Sequence, residues 1–171
     1  MTIKLFSFQT LAQTLISSFE EVDNIVVFRH VNSDPDALGS QLGFVEALKN
    51  KFKNKRIFAA GDENKGLEFI GKMDNIPEYV FNNFVAVVLD TANEDRVSDQ
   101  RFKLAKTIFK IDHHPDLEPF GDFSFVDTNF SSCSEIIYSL GLAMNTKITP
   151  EIAQLLYTGI VGDTGRFYYS N

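Results

Sequence analysis

Three apolar runs in this chain stop at side chains that can carry charge or hold a cation, and that coincidence limits the fold more than any other feature. Asn24–Phe28 (NIVVF) leads to His30, Phe84–Asp90 (FVAVVLD) ends in a carboxylate, and Thr107–Asp112 (TIFKID) runs into His113 and His114. Short β-branched runs without polar alternation read as strands buried on both faces, the mark of a parallel sheet. Parallel strands need long crossovers, usually helical. The expected architecture is therefore α/β, a mostly parallel sheet with helices on both faces. Ligands of such sheets gather at the carboxyl ends of the strands.

The segments between the runs supply the crossovers. Phe8, Leu11, Ala12, Leu15, Ile16 and Phe19 recur at helical spacing behind a capping Ser7. A polar loop, HVNSDPD, precedes a helix read as ALGSQLGFVEALKNKF, and Lys55–Ala60 (KRIFAA) forms another strand. Gly61–Pro77 is mixed loop with a short helix, and Asp95–Ala105 reads as helical. Asp122–Val126 (DFSFV) is an expected edge strand. Ser132 with Glu135 makes a capping box before IIYSLGLAM, and Thr149-Pro150 opens a last helix, EIAQLLYTGIVGDTG. There is no internal repeat, low-complexity stretch or flexible linker.

Charge sets a constraint on partners. The formal net charge is −7, which disfavours a nucleic-acid binder that relies on Lys and Arg. The objection weakens if the acids surround divalent cations, because the field near the site can then be positive. Cys133 is the one cysteine, so no intrachain disulfide forms, as suits a reducing cytoplasm. The N-terminus has no signal-peptide pattern, and no apolar run is long enough to cross a bilayer. The expectation is a cytoplasmic protein without membrane contact. Seventeen Phe and no Trp read as core filling.

The chemistry sits in four clusters: His30-x-x-x-Asp34-x-Asp36, Asp90 at its strand end, Asp112-His113-His114-Pro115, and Asp163 within GIVGDTG. All three histidines of the chain fall in them. Mixed imidazole and carboxylate donors suit Mn²⁺, Fe²⁺ or Zn²⁺ better than Ca²⁺. The donors exceed what one tetrahedral ion needs, whereas two ions about 3.5–4 Å apart, bridged by a carboxylate, use them efficiently. Taken singly, each cluster has a plainer reading. The D-P-D loop is an ordinary turn or cap, Asp90 an N-cap, and His113-His114 a surface loop.

Together and in this order, the four motifs resemble those of the DHH phosphoesterases. RHVNSDPDALGSQLG, LDTAN, IDHHP, SSCSEIIY and GIVGDTGRF are most similar to the bacterial oligoribonuclease/pAp phosphatase branch. The resemblance covers nearly the whole chain and implies residue roles. His30 and Asp34 would hold one metal, Asp36, His113 and Asp163 a second, and Asp90 would bridge them. Asp112 would orient a histidine, His114 would contact the phosphate or protonate the leaving oxygen, and Arg166 would reach a substrate phosphate. It implies two Mn²⁺ ions, with Mg²⁺ or Co²⁺ as substitutes. The substrates would be short single-stranded RNA or DNA oligonucleotides, linear dinucleotides or 3′-phosphoadenosine 5′-phosphate, and a homodimer is left open. Relatives of this branch continue into a C-terminal domain with a glycine-rich basic motif. Residues 1–171 contain no such motif, so the expectation is one catalytic domain with the substrate-binding domain absent.

Other functions stay open at this level. Inorganic pyrophosphatase and cyclic-dinucleotide phosphodiesterase share the metal motifs, and a metal- or nucleotide-binding module without turnover is a third alternative. Cys133 reads as a buried small residue rather than a nucleophile. Gly39 and Gly43 read as allowing their helix to pack closely on the sheet. Lys49, Lys51, Lys53, Lys55 and Arg56 read as a solvated helix end, or as a basic rim steering an anion. Asn129, Ser131, Ser132 and Ser134 read as a helix entry that can also line the site.

Overall fold

A computed structural model of the chain describes residues 2–169. Its strands are β1 (Ile3–Lys4), β2 (Asn24–Phe28), β3 (Arg56–Ala59), β4 (Phe84–Leu89), β5 (Thr107–Asp112) and β6 (Phe123–Val126). Its α-helices are α1 (Phe8–Glu20), α2 (Pro35–Lys51), α3 (Cys133–Ala143) and α4 (Pro150–Asp163). The strands form one sheet in the order β1-β6-β5-β4-β2-β3, and every pairing is parallel. The α/β class and parallel sheet read from the sequence are what the chain adopts. The order of connection reverses between β2 and β4, which marks that crevice as the ligand position of an open parallel sheet.

Period-two alternation of the buried strands feeds two cores. Ile25, Val27, Val85, Val87 and Leu89 face one side, where the apolar stripes of α1 to α4 cover them. Val26, Phe28, Phe84, Ala86 and Val88 face the other. That side has no α-helix among the described residues; its cover includes the 3₁₀ segments Glu78–Asn82 and Gln100–Leu104, through Val80, Phe81 and Phe102. The helical cover of the second face is thus 3₁₀ only, a thin layer that large rings fill. Phe28, Phe81, Phe84, Phe102 and Phe120 form a chain of tilted and edge-on contacts with centroids 5.4–6.4 Å apart. Such pairs gain stability beyond the area they bury. Part of the phenylalanine excess is therefore core filling, although Phe6, Phe69 and Phe167 are exposed.

Several local expectations change. Residues 95–105 are not one helix. They hold the 3₁₀ segments Glu94–Arg96 and Gln100–Leu104, because Val97 pairs with His30 and the Ser98 amide donates to the Arg29 carbonyl, which keeps the chain between them extended. The short helix in 61–77 is one 3₁₀ turn, Lys65–Leu67. β6 is not an edge, since the two-residue β1 pairs outside it, too short to show as a run in sequence. α2 starts two residues earlier than read. Pro35 takes the first helical position, which needs no amide donor. Asp34 then caps the helix by accepting from the Ala37 amide at 2.9 Å. That shift places Asp34 outside the helix and Asp36 in its first turn. No helix among the described residues is long and apolar enough to cross a membrane.

Candidate metal centre

The carboxyl ends of β2, β4 and β5, the N-terminus of α2 and the C-terminus of α4 meet at one place. His30 Nε2 lies 3.6 Å from Asp34 Oδ2 and 3.5 Å from Asp90 Oδ2. His113 Nε2 lies 3.5 Å from Asp90 Oδ1, 3.7 Å from Asp163 Oδ2 and 4.0 Å from Asp36 Oδ2. Asp90 therefore turns one oxygen toward each of two donor groups: His30 with Asp34, and His113 with Asp36 and Asp163. These separations exceed a hydrogen bond. They approach the spacing of two atoms that share one ion, roughly 3.0–3.5 Å for ligand distances near 2.1 Å.

Backbone geometry aims these groups. Asp90 sits at the end of β4 with φ of +50°, a left-handed conformation uncommon outside glycine. His30 Nδ1 lies 2.6 Å from the Val31 carbonyl, and His113 Nδ1 lies 3.3 Å from the Phe130 carbonyl. Each Nδ1–H donates to its carbonyl, which leaves both Nε2 lone pairs facing the carboxylates, the tautomer a metal needs. Two of the atoms at this junction, Asp90 Oδ1 and His113 Nε2, are buried with no hydrogen-bond partner among the described residues. Buried polar atoms are seldom left unmatched. An open pair of soft and hard donors, 3.5 Å apart, fits a divalent cation.

Asp36 is held from two sides. Its oxygens accept the amides of Cys133 at 2.7 Å and Ser134 at 2.9 Å, which are unsatisfied donors at the start of α3. α4 brings Asp163 beside it through close packing on α2. A Cβ on Gly159 would come within 2.8 Å of Asp36 Oδ1 and 2.0 Å of Ser134 Oγ. A Cβ on Gly39 would meet the Leu155 carbonyl at 2.6 Å. Gly39 and Gly43 thus serve the contact with α4 rather than the contact with the sheet.

The electrostatics follow from packing five carboxylates with three imidazoles. Burial alone would depress the His30 imidazolium, but Asp34, Asp90 and the Val31 carbonyl outweigh it and push it up to about 10. Burial acts the same way on His113, and Asp90, Asp36 and Asp163 push it up to about 9. Burial, reinforced by the charge of Asp90, raises Asp36 to about 7 despite its amide donors. Burial opposes ionisation of Asp90 too, yet His113 and His30 hold it well below the usual carboxylate range. Without metal, protons on the two imidazoles occupy the electrostatic role of cations.

His114 is placed differently. Asp112 Oδ1 accepts its Nδ1–H at 2.9 Å and also accepts the amides of His113 and His114. Asp112 raises the His114 imidazolium above its ordinary value. Arg166 is exposed, three residues beyond Asp163, with φ of +63°, and among the described residues its side chain bonds none of the others. The basic run from Lys49 to Arg56 lies at the far end of α2, about 25 Å from the centre by helix rise, so it is no rim of this site. Cys133 is buried and its thiol is pushed up by burial, as befits a packing residue.

Two buried cations escaped sequence reasoning, Arg29 and Lys110. Lys110 Nζ donates to the Ala92 carbonyl and to Asp116, both at 2.9 Å, tying the loop after Asp90 to the loop after His114. The only signal was position, Lys110 inside an apolar run and Arg29 directly after one.

Residues 24–160 match the model of the DHH family, N-terminal domain. A Bacillus subtilis protein described as bifunctional oligoribonuclease and PAP phosphatase NrnA is 42% identical over 160 residues, covering 92% of this chain and 51% of that protein. A Streptococcus mutans protein is 41% identical over 160 residues, covering 94% of this chain and 52% of its own length. The crystal structure of an exopolyphosphatase-related protein from Bacteroides fragilis superposes with a TM-score of 0.79 at 27% identity, covering 94% of this chain and 52% of that one. The chain spans about half the length of the curated relatives it matches.

Proposed function

The chain belongs to the DHH family, and from that premise we propose that it is the catalytic domain of a two-metal phosphoester hydrolase that uses Mn²⁺. Its substrates in this reading are short oligoribonucleotides, linear dinucleotides or 3′-phosphoadenosine 5′-phosphate. The observation that carries the proposal is Asp90, whose two oxygens face two separate imidazole–carboxylate groups. Bound there, two divalent ions would acidify a water and neutralise the phosphoryl oxygens.

The residues divide that task. His30 and Asp34 would hold the first ion, and Asp36, His113 and Asp163 the second, with Asp90 shared. The Cys133 and Ser134 amides fix Asp36, and the Val31 and Phe130 carbonyls fix the two imidazole tautomers. Asp112 would keep His114 oriented and protonated, so that its free Nε2–H can donate to the departing oxygen. Arg166 would meet a distal phosphate. Residues 1–171 would supply the metal centre in a cytoplasmic setting, with the grip on the substrate coming from elsewhere in a protein of its relatives' length.

The test is an assay with Mn²⁺ and labelled two- to five-residue RNAs, 3′-phosphoadenosine 5′-phosphate and inorganic pyrophosphate, beside calorimetric counting of ions. Release of mononucleotide or of the 3′-phosphate supports the reading. Pyrophosphate cleavage alone would reassign the substrate. Two bound ions with no product from any substrate would leave a binding module.

A further inference from the structure

Arg29 is the largest completely buried side chain among the described residues, and it stands between strand β2 and His30. Among the described residues its guanidinium forms no carboxylate ion pair. Instead it donates through one terminal nitrogen to the His30 carbonyl at 2.8 Å and through the other to the Asp62 carbonyl. Its Nε has no partner among the described residues. Burying a charge whose bonds are all to carbonyls is costly, and the nearby charges of Asp62, Glu63 and Asp34 offset only part of that cost. A cation beside a two-ion centre also works against holding those ions. Every hydrogen bond of the guanidinium goes to backbone, beside the ligand loop, which points to geometry.

The contacts around it describe a brace. The Ser98 amide donates to the Arg29 carbonyl at 2.9 Å, and the Val31 amide donates to the Arg96 carbonyl at 2.7 Å. Ser98 Oγ accepts the Asp62 amide and donates to its carboxylate. Gly61, at φ of +138°, leaves room there; a Cβ would meet Ser98 Oγ at 3.1 Å and Arg29 Cζ at 3.4 Å. The guanidinium fork thus joins the loops that follow β2 and β3, and Ser98 ties both to the loop that follows β4. Its hold on the His30 carbonyl fixes the peptide leading to Val31, whose own carbonyl sets the His30 ring.

We propose that Arg29 is a positioning residue for the His30–Asp34 half of the centre, keeping the His30 imidazole aimed at an ion through the backbone rather than through charge. The inference rests on the two-ion reading above. It predicts a sign that a charge effect reverses: if the guanidinium acted by its field, Arg29→Met would tighten the neighbouring ion, whereas loss of positioning weakens it.

The experiment is a Mn²⁺ titration of the wild-type protein, Arg29→Met, Arg29→Lys and Ser98→Ala, read by calorimetry and by the spin-coupled signal of paired Mn²⁺. The expected result is one site weakened about 10–100-fold in Arg29→Met, the usual range for a residue that orients a ligand. The other site stays unchanged and the coupled signal is lost. Lys keeps the charge without the fork and should fail nearly as far; Ser98→Ala should shift the same site less. Unchanged or tighter binding in the folded variants overturns the proposal, as does equal weakening of both sites. If Arg29→Met does not fold, Arg29→Lys and Ser98→Ala decide. A wild-type protein that binds no pair of ions would instead defeat the reading beneath it.

Discussion

The two halves of the centre are built by different means. His30 and Asp34 come from one loop, four residues apart, and the Asp34 side chain is 51% exposed. Asp36, His113 and Asp163 come from α2, the loop after β5 and the end of α4, and the Asp36 side chain is 1% exposed. The first half is local and wet, while the second exists only after α2, α3 and α4 have packed. Asp90 alone belongs to both.

The largest break in that contrast is Asp90→Ala. It should empty both halves together and lower turnover by at least about a thousandfold, the scale of a lost electrostatic anchor in a reacting site. Calorimetry that still finds two tight ions would remove Asp90 from the shared position. His114→Ala belongs to neither half. It should slow turnover by about 10²–10⁴ with both ions retained; a fall in metal content would place His114 among the ligands. Gly159→Ala separates the halves. The added methyl presses on Asp36 and Ser134, so stability should fall by about 1–3 kcal/mol. The second ion should weaken while the first persists, which a melting curve and a metal titration read together.

The smallest effect sharpens the comparison by pH. Both imidazolium groups are raised above the ordinary histidine value, to about 10 at His30 and about 9 at His113. In the metal-free protein their pairing with carboxylates contributes stability that is complete below about pH 6.5. It is lost as pH rises through 9 and 10. Asp36, raised to about 7, shifts stability in the same direction. Metal must displace these protons, so affinity should rise with pH in both halves. Between pH 8 and 6 the His30 half displaces a proton from one group and the other half from two, His113 and Asp36, so titrations at these pH values should find the second half losing affinity more steeply in acid; equal loss would show that the halves do not differ.

The same contrast explains what could be read from sequence. The fold class was legible because β2, β4 and β5 are continuous apolar runs, and His30, Asp90 and His113 were legible because those runs lead into them. The closeness of Asp163 to Asp36 was not. It depends on Gly159 and Gly39 letting two helices touch, and a glycine in a helical pattern does not say what lies against it. β1 was missed because two residues carry no period. The 94–104 segment was misread because its polar and apolar spacing suits a helix, while pairing of Val97 with His30 overrides that preference. Arg29 and Lys110 were overlooked because composition counts a cation as surface until the packing encloses it.

Asp36 spends both oxygens on the first amides of α3 while facing the centre, so the helix and the site share one carboxylate. The Cys133 and Ser134 amide protons are thus a built-in gauge. Any event that draws electron density from Asp36 will register in their nuclear magnetic resonance frequencies, 97 and 98 residues away in sequence but one hydrogen bond away in space.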